Sequence, residues 1–334
     1  MTLPDDRIIV GLGEVLWDCF DDARHVGGAP ANVAFHAQAL GNHGLVCSRV
    51  GDDDLGRDLL EFLATRGLDT QFVQTDPAHP TGRVTVDTTD PERPAYTIHE
   101  NTAWDALEYT DQLAALMPRA AAVCFGTLAQ RDPRTRATIH RALQDAHRAL
   151  TVYDVNLRQH WYERDWIERS LQASRVVKLN DAEYLTLTDV LDLNANSPEL
   201  FAQAIQRRFN VELVCVTKAE HGCLLVSRDE VVNMPSRPVQ VVDAVGAGDA
   251  FCAALITGLL HRWPLPRVAE FANHIGGLVA ARAGAMSLRP AEGAALIAEM
   301  ESRATDPQTL QAARPETTSA AIDPRSGARG PAGD

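Results

Sequence analysis

The chain has 334 residues, is 45% hydrophobic, and carries 45 acidic against 31 basic residues for a formal net charge of −14. This length suits one large α/β domain with an appendage, and the apolar content is enough for a sizeable core. The acidic balance argues against a nucleic-acid backbone as partner, which requires clustered Lys and Arg, but it leaves room for a small anion at a local donor site.

In chain order, Arg7–Leu12 is a short apolar run ending in glycines and reads as a buried strand. Pro30–Leu40 reads as a helix, with Pro30 in its first turn and Gly41 as its stop. Leu45–Val50 is a second strand, and Leu55–Arg66 an amphipathic helix closed by Gly67. Between Gly82 and Trp104 the pattern changes. Val84 and Val86, then Tyr96 and Ile98, alternate with polar residues around a turn-rich TTDPERP segment, which predicts a hairpin of a small separate sheet. Strand–helix alternation resumes with strands at 121–126, 150–155, 176–179 and 211–217 and helices at 133–147 and 161–173. A hairpin follows at 223–226 and 230–234. Repeated β-α units imply a mostly parallel, doubly covered sheet, with ligands outside the carboxyl ends of its strands. Ala247–Leu260 is apolar on nearly every side and must be an interior helix. Beyond about Arg303 periodicity gives way to Pro, Ser, Thr, Ala and Gly, a composition that predicts disorder for 303–334 and a folded domain over 1–302.

The six cysteines form no C-x-x-C pair and read as reduced, mostly buried thiols of a cytoplasmic protein. The first residues do not resemble a signal peptide, and no apolar stretch approaches a membrane span.

The most informative segment is Asp243-Ala244-Val245-Gly246-Ala247-Gly248-Asp249. Small residues at the head of an interior helix let a ligand approach amides that lack intrahelical partners, and the helix dipole adds partial positive charge. Gly246, Ala247 and Gly248 therefore predict an anion hole suited to a transferring phosphoryl group. Asp249 beside it has two readings: a helix cap, or a base accepting the proton of an attacking hydroxyl. No P-loop signature occurs. Gly11-Leu12-Gly13 begins like a dinucleotide fingerprint, but Leu16 stands where its third small residue belongs.

Two motifs then resemble those of the PfkB, or ribokinase-like, sugar kinases. Gly27-Gly28-Ala29-Pro30-Ala31-Asn32-Val33-Ala34 resembles the family's N-terminal motif and DAVGAGD its C-terminal one, in the expected order. Asp154-Val155-Asn156-Leu157-Arg158 resembles its D-x-N-x-R strand end, and Asn180-Asp181-Ala182-Glu183 its N-x-x-E motif. GLGEVLWD, YTIHENTAWD and CFGTLAQR are similar to the bacterial fructokinase branch. The likeness spans roughly residues 7 to 300.

The resemblance implies a three-layer α/β/α fold with a β lid from about 12–26 and 80–105. It implies transfer of phosphate from ATP, with Mg²⁺, to a small sugar, fructose foremost, and ribose, 2-keto-3-deoxygluconate or a nucleoside as alternatives. By the same resemblance Asp249 is the base; Asp18, Gly27, Gly28 and Asn32 line the sugar pocket; and Arg158 meets phosphate or pairs with an acidic neighbour. Asn180 and Glu183 organise magnesium waters, and Thr217, Gly222 and Asn273 face the nucleotide, Asn273 being equally readable as a satisfied helix amide. Asp243, Val279, Arg282, Gly284 and Ser287 mark a loop that in the family binds a monovalent cation such as K⁺. One departure stands out. The family's T-x-G-x-x-G loop is here Thr217-Lys218-Ala219-Glu220-His221-Gly222, and an alanine at a left-handed position would be strained. A bare apolar face on the lid would need cover, which predicts a homodimer through the lid. A non-catalytic regulator on the same fold is disfavoured by the intact Gly246, Gly248 and Asp249.

Overall fold

The computed structural model describes residues 7–20, 23–87 and 95–302. Thirteen strands and ten α-helices alternate along these residues. The large sheet contains β1 (Ile8–Leu12), β4 (His43–Gly51), β5 (Val73–Asp76), β8 (Ala122–Phe125), β9 (Leu150–Asp154), β10 (Val176–Asn180), β11 (Leu213–Thr217), β12 (Cys223–Ser227) and β13 (Val231–Met234). Their order is β13-β12-β11-β10-β9-β8-β1-β4-β5, with only the β11-β12-β13 edge antiparallel. Successive residues on each strand face opposite layers. Val10 and Leu12, Val123 and Phe125, Val177 and Leu179 join one core with α3 (Asp111–Leu116), α4 (Pro133–Asp145), α5 (Arg164–Gln172), α6 (Asp181–Val190) and α7 (Pro198–Phe209). Ile9, Cys124, Val152 and Val176 join the other, under α1 (Ala29–Ala39), α8 (Ala247–Leu260), α9 (Leu265–Ala280) and α10 (Pro290–Ser302). This is the three-layer arrangement that the repeated β-α units predict. α8 is buried from Ala250 to Gly258, as its all-round apolarity requires.

The separate sheet has the order β3-β2-β6-β7, from β2 (Leu16–Cys19), β3 (Arg24–Gly27), β6 (Arg83–Asp87) and β7 (Ala95–Ile98). Two antiparallel hairpins are joined by a parallel β2–β6 pairing. Its Leu16, Val84, Val86 and Ile98 pack on Trp104 and Leu128. These apolar residues are thus covered within the chain. Arg131 anchors the base of this sheet: it stacks on Trp104 and Trp161, at 4.1 and 4.9 Å from the ring centroids, and pairs with Asp105 at 2.8 Å. Both ionic side chains are almost fully buried. The expected helix over 161–173 starts only at Arg164, because Trp161 is drawn into this cluster. β5, α9 and α10 are elements that the sequence pattern left unmarked. The TTDPERP turn and the tail past 302 lie outside the described residues. Among the described residues no helix is long and apolar enough to cross a membrane.

Removing one partner of a buried ion pair leaves the other unpaired in low dielectric. We expect Arg131→Met to lower unfolding free energy by about 3–5 kcal/mol in chemical denaturation; a change under about 1 kcal/mol would mean that the pair does not anchor the lid base.

Candidate active site

The carboxyl ends of the parallel strands converge on the head of α8. Parallel register sets Lys178 of β10 beside Asp154 of β9, on the face that packs against α8. The Lys178 ammonium reaches both Asp154 oxygens at 3.0 Å. Burial works against its charge, yet Asp154, with Asp249 and Glu183, more than offsets this and holds Lys178 above the usual lysine range. A Cβ on Gly248 would sit 3.3 Å from the Lys178 Nζ, so this charge lies directly under the first turn of α8.

That turn is built by Gly246, whose φ of 78° and ψ of −6° belong to the third position of a type II turn. Ala285 packs so closely that a Cβ on Gly246 would lie 2.7 Å from it. The Ala247 amide closes the turn onto the Ala244 carbonyl at 3.2 Å. Ala247 is therefore not a free donor, contrary to the expectation. The amides of Gly248 and Asp249 have no protein acceptor among the described residues, and Gly248 is exposed.

Asp249 is half-buried, and its Oδ2 accepts from the Asn32 amide at 2.7 Å. Desolvation raises its pKa; Lys178, the Asn32 hydrogen bond and Arg158 act in the opposite sense. Asn32 and His36 are polar residues one helical turn apart on α1, so they share a face. His36 is fully buried, and its Nε2 meets the Ala285 carbonyl at 2.8 Å. A carbonyl only accepts, so Nε2 carries the proton. Burial lowers the His36 pKa to about 4, which keeps it neutral. One face of α1 thus holds both Asp249 and the loop that backs Gly246.

On the small sheet, β2 carries Asp18, paired with His25 of β3. Its carboxylate lies over Gly27, where a Cβ would approach Oδ2 to 2.5 Å. Burial raises the Asp18 pKa to about 6, with Arg158 and His25 opposing. Gly28, at φ 108°, turns the chain into α1 against the Glu14 carbonyl, 2.5 Å from where a Cβ would be. Arg158 is exposed and donates only to the Leu157 carbonyl, at 3.3 Å. Its charge nevertheless acts on Glu14, Asp18, Asp154 and Asp249 alike. The Gln159 amide ties this loop to the lid through the Tyr96 carbonyl at 2.6 Å.

Asn180 and Glu183 form a capping box on α6. Asn180 Oδ1 accepts from the Glu183 amide and Glu183 Oε2 from the Asn180 amide, both at 2.8 Å, while Oε1 takes the Leu157 amide at 2.9 Å. Among the described residues no three His, Cys, Asp or Glu side chains are grouped to hold a metal ion. A hard cation here would have to be carried largely by phosphates and water, as Mg²⁺ usually is. Thr217 Oγ1 donates to the Leu179 carbonyl at 3.4 Å. Asn273 Nδ2 donates to the Met234 and Pro235 carbonyls at 3.1 and 3.4 Å, the satisfied-amide reading of that residue. Ala219 does adopt the left-handed region, at φ 46°, and its carbonyl accepts the Gly222 amide at 3.1 Å.

The Asp243 carboxylate, ahead of α8, takes the Val245 amide and, from the loop after α9, the Gly284 amide, each at 3.0 Å. Arg282 pairs through both guanidinium nitrogens with Glu292 and reaches the Ser287 carbonyl at 3.3 Å. The Ser287 hydroxyl is buried without a partner. Val279 is buried at the end of α9, and its carbonyl accepts the Arg282 amide at 3.0 Å. A cleft of about 650 Å³ beside Arg49, Asp76 and His79 contains none of these residues.

The family model for pfkB family carbohydrate kinases matches residues 4–292. The chain belongs to that family. As curated relatives, this pfkB kinase is 30% identical to the fructokinase of Escherichia coli over 277 residues, 79% of this chain and 88% of that protein. It is 29% identical to fructokinase-1 of Zea mays over 317 residues, 87% and 97% of the two chains. Among solved structures, a sugar kinase of Pyrococcus horikoshii in complex with ATP is 28% identical with a TM-score of 0.73, over 85% of this chain and 96% of that one. A fructokinase of Xylella fastidiosa with bound ATP, 22% identical, shares the fold at a TM-score of 0.79 over 89% and 99%.

Sequence reasoning passed over three residues around this candidate site. Lys178 is the lone charge in an apolar strand, a signal that a buried partner is needed. His36 repeats the Asn32 spacing on α1. Glu14 follows a fully buried strand and is itself 3% exposed, with Oε2 unpartnered. Burial raises its pKa from 4.5 to about 7. A folded-state pKa above the unfolded one favours folding fully below the unfolded value, and that contribution is lost as pH rises through the folded value. The Tm of Glu14→Gln minus that of the unchanged protein should therefore grow more positive between about pH 5 and about pH 8. A flat difference across that range would show that Glu14 does not titrate as a buried acid. Relief of the left-handed alanine gives a second expectation: Ala219→Gly should raise stability by about 0.5–1 kcal/mol in thermal unfolding, and a lowered Tm would refute it.

Proposed function

We propose that this kinase transfers the γ-phosphoryl group of ATP to a hydroxyl of a small sugar, with D-fructose, giving fructose 6-phosphate, as the leading substrate. The carrying observation is the Asp249 carboxylate held by Asn32 next to the bare amides of Gly248 and Asp249. Fructose is supported by relatives named fructokinase at 30% and 31% identity.

In this reading the sugar lies between Asp18 of the lid and the head of α8. A carboxylate accepts from two neighbouring hydroxyls, which suits a polyol. Asn32 fixes the orientation of Asp249, whose oxygen takes the proton of the attacking hydroxyl. The sugar oxygen forms a bond to the γ-phosphorus as the bond to the bridging oxygen of ADP breaks. The Gly248 and Asp249 amides, the helix dipole and Lys178 beneath them offset charge on the moving phosphoryl group. Magnesium arriving on the nucleotide would neutralise phosphate charge, with Glu183 and Asn180 on its side of the cleft. The lid excludes water, which competes with the sugar as acceptor.

Asp249→Asn should cut kcat by about 10²–10⁴-fold while sugar affinity stays within a few-fold, checked by coupled ADP release and by calorimetry. Undiminished turnover would remove Asp249 as the base. For the unaltered enzyme, kcat/KM should fall as pH drops through about 6, where Asp18 takes up its proton, and burial raises Asp249 in the same direction. The same ADP-release assay across fructose, ribose, 2-keto-3-deoxygluconate and nucleosides identifies the acceptor, and runs with and without potassium test the loop at 282–287.

A further inference from the structure

Glu14 is a buried acid at the head of α1 to which the mechanism gives no work. It leaves β1 at the sheet's carboxyl edge, and its carbonyl backs the Gly28 turn that starts α1. The groups acting on its carboxyl come from every side: its own amide, the Ala29 amide of α1, Arg158 from the loop after β9, and Asp249 from α8. The two amides attract it, and Gly28 offers α1 no side-chain cap. Capping α1 is thus a sufficient account of one oxygen. The other, Oε2, is buried without a partner, and so is Asn32 Oδ1, the far side of the amide that holds Asp249.

Two orphaned acceptors beside one base call for a ligand rich in donors. Buried acceptors are met in native structures, and leaving them unmet is costly. A phosphate brings mainly further acceptors and negative charge, whereas each hydroxyl of a polyol brings a donor. Resting on the sugar-kinase reading, we propose that Glu14 is a further acceptor of the sugar pocket, taking a hydroxyl of the bound polyol alongside Asp18 and Asn32. Hydroxyl donation favours the ionised carboxyl, so sugar binding should expel the proton that burial otherwise retains near neutrality.

Glu14→Gln tests this, because the amide oxygen keeps the contact with the α1 amide and only Oε2 becomes a donor. Sugar KM should rise roughly 10- to 100-fold while ATP KM stays within about twofold. Calorimetry of sugar binding near pH 7 in two buffers of different ionisation enthalpy should show proton release for the unaltered kinase and less for the variant. A sugar KM within about twofold of the original, with equal proton release, overturns the assignment and leaves Glu14 as a cap for α1. If the variant fails to fold, the absence of proton release from the unaltered protein overturns it equally. If the unaltered protein phosphorylates no sugar, the functional reading itself falls and this one with it, an outcome distinct from loss in the variant alone.

Discussion

Holding a carboxylate in a partly desolvated place beside the positive end of a buried helix is the constraint on which the rest of the site depends. Burial penalises the charge of Asp249 and raises its pKa. Its compensation comes from three elements far apart in sequence: the Asn32 amide from α1, the Lys178 ammonium from β10 and Arg158 from the loop after β9. Two of the three are anchored in turn: Lys178 by Asp154 one strand away, and Asn32 by its place in a largely buried helix packed against α8. Without them the desolvation of Asp249 would act unopposed.

The head of α8 is shaped by packing as much as by charge. Gly246 turns the chain so that Ala247 closes back on Ala244, which leaves the next two amides to face outward. The wall behind Gly246 is Ala285, and its carbonyl is held by neutral His36. A single helix, α1, therefore holds Asp249 through Asn32 and, through His36, the wall behind Gly246. In the proposed transfer, errors of an ångström in either would be costly, and one shared support limits them.

The lid depends on a different kind of stabilisation. Arg131 between two tryptophans and a buried aspartate fixes its base, and Gln159 links its outer strand to the loop that carries Arg158. Asp18 is carried on this sheet, and the same arginine acts on it and on Asp249. Lid position and site electrostatics are thereby joined through one loop.

Local chemistry determined much of this protein. Strand and helix periods marked most of the large sheet, the interior helix at 247–260 and the lid hairpin, and the small residues before Asp249 marked the turn that precedes it. These features depend on neighbours a few positions apart, where side-chain period and backbone freedom decide. Ala219 was legible for the same reason, since a left-handed position strains any residue with a Cβ. The tertiary structure alone decided which groups are used up and which are left over. The Ala247 amide and the Val279 carbonyl are engaged, and Glu14 Oε2 is not. Strand register, which pairs residues distant in sequence, set Lys178 on Asp154. The covering of the lid by Trp104 and Leu128 likewise depends on how separate elements pack. Hydrogen-bond satisfaction and burial are properties of the packed whole, so no window of sequence contains them.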